Sequence, residues 1–146
     1  MVRRLKIYFI HSGKYDYHNL FYRYILSSSE CIKHELMLPL TEKYKTRYVK
    51  ELLETADLII AEVSNPNFTL KLELKWALKT GKPIKYISLT NTIKPKLKKI
   101  VPEIESITEE RTMIKIIEDF INYYASMTQG EQLDPTVILG EYGENQ

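Results

Sequence analysis

Cysteine is nearly absent from this 146-residue chain: Cys31 is the only one. A lone thiol excludes an intramolecular disulfide and a cysteine-based metal cluster, and it fits a reducing, cytoplasmic setting. No apolar run approaches the ~20 residues that cross a bilayer. Met1-Val2-Arg3-Arg4 leads into a strand rather than a signal peptide. An excess of one charge is also missing, since 21 basic side chains face 19 acidic ones for a net +2. That balance argues against a nucleic-acid or anionic-membrane partner. The local cluster Lys94, Lys96, Lys98 and Lys99 reads as a solvated helix face. Glycine signatures are missing too: there is no phosphate-binding Gly-rich loop, no Gly-x-Gly-x-x-Gly and no Gly-x-Ser-x-Gly elbow. His11, His18 and His34 lack the spacing of a metal cluster, so neither a metal nor an organic cofactor is expected.

Apolar residues make up 44% and charged residues 27%, enough of each for a single domain with its own core. β-forming apolar runs predict strands over residues 5–11, 31–38, 58–63 and 84–87, with a weak edge strand over 104–108. Helical spacing predicts helices over 17–27, 44–55, 70–80 and 111–127, and a short one over 94–99. Alternating strands and helices imply βαβ units. The expected fold is a three-layer α/β/α domain with an about five-stranded, mostly parallel sheet, flavodoxin-like or Rossmann-like, over residues 1–128. Residues 129–146 are expected to form a tail, frayed or docked on a neighbouring subunit.

In such folds ligands bind beyond the carboxyl ends of the strands. The loops 12–16 and 64–69 follow strands, and Glu73 lies in the first turns of the helix after the second of them. Lys71, Lys75 and Lys79 form one basic stripe on that helix, spaced i, i+4, i+8, and Glu73 falls within the opposite apolar arc. A carboxylate pointing inward has to be paired, protonated or open to a pocket. A structural role and a catalytic role both satisfy that requirement.

The composite pattern Lys6-Ile7-Tyr8-Phe9, then Ala56-Asp57-Leu58-Ile59-Ile60-Ala61-Glu62-Val63-Ser64-Asn65-Pro66, then Leu72-Glu73-Leu74-Lys75-Trp76-Ala77 and Gly81-Lys82-Pro83-Ile84 resembles the nucleoside 2-deoxyribosyltransferase superfamily. Within it the resemblance extends to the branch of 2′-deoxynucleoside 5′-monophosphate N-glycosidases, and it covers residues 6–88. It implies Glu73 as the nucleophile that attacks C1′ of the deoxyribose, with Tyr8 orienting it. Ser12, Gly13 and Lys14 are implied in holding a 5′-phosphate, and Asn65 and Asn67 in contacting the substrate. A small-molecule nucleoside or nucleotide partner and a homodimer or higher homo-oligomer are likewise implied. The chain departs from the pattern at four positions. Thr69, Lys71 and Lys75 stand where relatives carry glycines, and Val49 stands where they carry an Asp that assists departure of the base; Asp16, His11 or His34 could substitute for it. The alternative is a nucleotide-binding or regulatory domain of the same fold that has lost the reaction.

Overall fold

Strand β1, Lys6–Ile10, is apolar on both faces and is flanked by β2, Glu35–Met37, on one side and β3, Leu58–Glu62, on the other. The computed structural model describes residues 3–89, Leu97, Lys99, 103–106 and 110–127. Within these residues β4, Ile84–Ser88, pairs with β3, and β5, Glu105–Ser106, adds a two-residue edge. The order is β2-β1-β3-β4-β5 and every pairing is parallel, so four strands carry the sheet and the fifth closes it. Helices cover both faces, as a parallel sheet requires. The expected three-layer α/β/α arrangement is the one found.

The alternation of β1 sets the two layers. Tyr8 and Ile10 face helices α2, Val49–Thr55, and α3, Phe68–Thr80, meeting Leu52, Leu53, Leu70, Leu74 and Ala77. Ile7 and Phe9 face the opposite layer, built from α1, Arg23–Leu26, and α4, Glu110–Ala125. There Met113, Ile117, Ile121 and Ala125 recur every fourth residue as one buried stripe. Each such side chain contributes about 1.5–3 kcal/mol by leaving water. Helix α3 is bounded at both ends by its own sequence. The Asn67 side chain accepts the Leu70 N–H at 2.8 Å, and Gly81 turns the chain out at φ 74°, a left-handed conformation that suits glycine.

Three elements differ from expectation. Residues 31–33 form a 3-10 turn, so Cys31 is not in a strand; the Ser28 hydroxyl accepts its N–H, and β2 begins only after His34 accepts the Leu5 N–H through Nδ1 at 3.0 Å. Residues 44–47 form successive turns instead of extending α2, because Tyr44 is buried with its hydroxyl donating to Glu35 and Tyr48 is extended. A π turn, His18–Tyr22, precedes α1 and rotates its faces: Phe21, Tyr22 and Ile25 are buried while Leu20 is exposed. The tail from residue 129 and most of the short helix over 94–99 lie outside the described residues.

Candidate functional site

The strand order reverses between β1 and β3, the switch point where open parallel sheets hold their ligand crevice, at the carboxyl ends. Ser12 leaves β1 on one side of it, and residues 64–67 leave β3 on the other. The two loops are joined directly: Asn67 Nδ2 donates to Ser12 Oγ at 3.4 Å while its Oδ1 caps α3. The same Ser12 oxygen accepts the Lys14 N–H at 2.9 Å. Ser12, Lys14 and Asn67 are therefore brought together. Ser12 itself is buried, whereas Gly13 and Lys14 are exposed at the loop's tip. A Cβ at Gly13 would meet only ordinary contact, 3.5 Å to Leu40 Cδ1, so the loop does not require glycine there. Asn65 turns onto its own loop, donating to Ser64 Oγ at 3.0 Å.

Glu73 sits on the sheet-facing side of α3, half-buried among apolar neighbours. Burial alone pushes its carboxyl up to about 7. Tyr8 lies beneath it on β1, fully buried, with its hydroxyl unpartnered among the described residues. Desolvation and then the Glu73 charge raise the Tyr8 phenol, which keeps it protonated at any ordinary pH. A phenol that can only be a neutral donor thus faces a carboxyl balanced between its two forms. That pair is the chemically equipped part of the edge.

On the other face of the sheet a second group escaped the sequence reading. Glu62, the last residue of β3, is fully buried, and its Oε2 accepts the N–H groups of Ser64 at 3.0 Å and Leu89 at 3.1 Å. The signal was available, as the one charge in an otherwise apolar strand. Burial raises the Glu62 carboxyl, opposed by these donors, and raises the Tyr15 phenol that faces it. Close by, His11 is buried with both ring nitrogens engaged. Nδ1 meets the Ser12 carbonyl at 2.9 Å, and Nε2 meets the Tyr22 hydroxyl at 2.6 Å, which in turn accepts the Leu40 N–H. A carbonyl can only accept, so Nδ1 carries the proton and Tyr22 donates to Nε2. Desolvation lowers His11 further, favouring that neutral tautomer.

None of the three expected substitutes for an acid at the base is placed for that role. His34 is tied to Leu5, at the opposite edge of the sheet. His11 is neutral and doubly bonded. Asp16 is exposed, and hydrogen bonds from Asn19 lower its carboxyl, so it is ionised at neutral pH. Val49 opens α2 half-buried against the core, Thr69 is exposed, and Lys71 is half-buried on α3. Asp57 accepts the Lys6 N–H at 2.8 Å, at the entrance to β3 and away from the crevice.

A groove of about 300 Å³ between α2 and α3, lined by Lys50, Leu53, Trp76, Lys79 and Thr80, lies toward the far end of α3 from its capped N-terminus. Lys50 stacks over Trp76 there, with Nζ 4.7 Å from the ring centroid. Among the described residues no group of three or more His, Cys, Asp or Glu side chains could hold a metal ion, and no helix is long and apolar enough to cross a membrane. No family model matches the chain, and no curated protein matches it.

Proposed function

We propose that this chain cleaves the N-glycosidic bond of a 2′-deoxynucleoside, or of its 5′-monophosphate, with Glu73 as nucleophile. The observation that carries the reading is the Glu73–Tyr8 pair at the carboxyl edge: a half-buried carboxyl raised to about 7 over a buried, unpartnered phenol. Ionised Glu73 attacks C1′ as the base departs with the bonding electrons, giving a glycosyl-enzyme. Water or a second base then displaces the carboxylate and restores it. The Tyr8 hydroxyl, without a partner among the described residues, is the donor available to orient the carboxyl when substrate is bound. The exposed tip at Gly13 and Lys14, above the Ser12–Asn67 contact, receives the 5′-phosphate, since a cation and a polar loop suit an anion. Asn65 and Asn67 border the sugar. The protein works in the cytoplasm as a homodimer or larger homo-oligomer.

A second reading has its own observation. Val49 is apolar where the resemblance expects an acid, and the three candidate substitutes are engaged elsewhere. A domain that binds the nucleotide without turning it over fits those facts. Incubation with a panel of deoxyribonucleosides and their 5′-monophosphates, followed for free base, separates the two. Base release that disappears in Glu73→Ala supports catalysis. Tight binding of one member without release favours the binding domain.

A further inference from the structure

We propose that Glu62 is the positioning residue of this edge: one buried carboxyl clamps the loops that follow β1, β3 and β4, and so holds the anion-receiving tip in place. The hold on the loops after β3 and β4 stands on two hydrogen bonds, its reach to the loop after β1 on the Asn67–Ser12 bond, and its consequence for the anion rests on the site reading above. Leu58, Ile60 and Glu62 share one face of β3, and the first two pack into the core with Phe9 and Ile87. The third position of that row would take another aliphatic side chain if filling space were its task. It carries a carboxyl instead, at the rung where the sheet meets its loops.

Each contact reaches a different loop. Oε2 accepts from Ser64, in the loop after β3, and from Leu89, just past β4. Oε1 is buried and without a partner among the described residues, and so is the hydroxyl of Tyr15 in the loop after β1. The loop that Glu62 holds through Ser64 is itself bonded to the loop after β1, Asn67 Nδ2 donating to Ser12 Oγ at 3.4 Å, and the Glu62 charge adds to burial in raising the Tyr15 phenol. A carboxyl out of water is tolerated where donors surround it, and here the donors are the loops themselves. The loop after β1 is then pinned at two points. His11 holds the Ser12 carbonyl and Asn67 holds the Ser12 hydroxyl, which in turn accepts the Lys14 N–H at the exposed tip.

The test uses the full chain and three substitutions, Glu62→Leu, Glu62→Gln and Tyr15→Phe, read by residue-resolved amide exchange and by affinity for inorganic sulfate as a dianion probe. Glu62→Leu should speed exchange at least about tenfold at Lys14, Ser64 and Leu89 while Ile60 and Ile117 keep their protection. Sulfate affinity should fall by a similar factor. Glu62→Gln keeps an acceptor for both N–H groups and a donor for Tyr15, so it should stay within about twofold of the native protein. If Glu62→Leu does not fold, Tyr15→Phe decides: faster exchange at Lys14 and weaker sulfate binding support the clamp. Unchanged loop exchange in a folded Glu62→Leu or in Tyr15→Phe overturns it, as does a Gln variant that behaves like Leu. Failure of the native protein to bind sulfate counts against the phosphate reading of the tip, and the exchange result still decides the clamp.

Discussion

Burial first, and then the charge of Glu73 on α3, holds the phenol of Tyr8 on β1 in its protonated form. The hydroxyl is buried and has no hydrogen-bond partner among the described residues, Glu73 included. Tyr8→Phe removes the unpaired polar atom and keeps the ring. It should therefore leave stability unchanged or raise it by about 1 kcal/mol, while lowering base release by about 10–100-fold. Urea unfolding and a base-release assay on the same preparation check both halves.

Glu73 itself should make stability depend on pH. Its carboxyl titrates at about 7 in the folded chain against an ordinary 4.5. Between those values the folded state holds a proton that the unfolded state has lost, so stability falls as pH rises from 4.5 through 7 and levels off above. Because the group is partly open to solvent, the loss is about 1–3 kcal/mol. Glu73→Gln should remove it, making the variant more stable than the native protein at pH 8 and equal to it near pH 4. Denaturant midpoints at the two pH values measure the difference.

The same titration sets the direction of any activity profile. A nucleophile must be ionised, so kcat/KM should climb between pH 5.5 and 8.5 with a midpoint near the value of about 7 that burial imposes. Asp16, with its lowered carboxyl, stays ionised throughout this window. A profile that falls through the same midpoint would instead assign Glu73 the role of an acid.

Asn67 carries two jobs that substitution can separate. Its Oδ1 caps α3 and its Nδ2 reaches Ser12. Asn67→Asp keeps the cap and loses the donor, so stability should hold while affinity for a nucleoside monophosphate drops, with the added charge repelling the phosphate. Asn67→Ala loses both and should also cost about 1 kcal/mol of stability. Thermal unfolding and equilibrium binding of the two variants give the comparison.

The sheet, its parallel pairing and the ends of α3 were legible because each rests on local chemistry. The apolar run 58–61 reads as a buried strand, and Asn67 and Gly81 bracket a helix in the standard way. What was not legible depends on side chains meeting across long separations. Tyr44 leaves the α2 pattern because Glu35 takes its hydroxyl, and residues 31–33 turn because Ser28 binds the Cys31 N–H. The π turn before α1 places Tyr17 and Tyr22 against His11, a packing that periodicity of 3.6 does not encode. In the site, Glu73 and the Ser12–Asn67 neighbourhood were foreseen from topology. Glu62 was not, since its partners Leu89 and Tyr15 come from loops 27 and 47 residues away, on either side of it in the chain.

The most direct measurement is release of free base from 2′-deoxynucleosides and their 5′-monophosphates by the native protein and by Glu73→Gln, at pH 8. The native protein should liberate base from at least one of them, and Glu73→Gln, folded and at least as stable, should not. Release that persists in Glu73→Gln would contradict the assignment of the nucleophile, and no release from any member by the native protein would contradict catalysis itself.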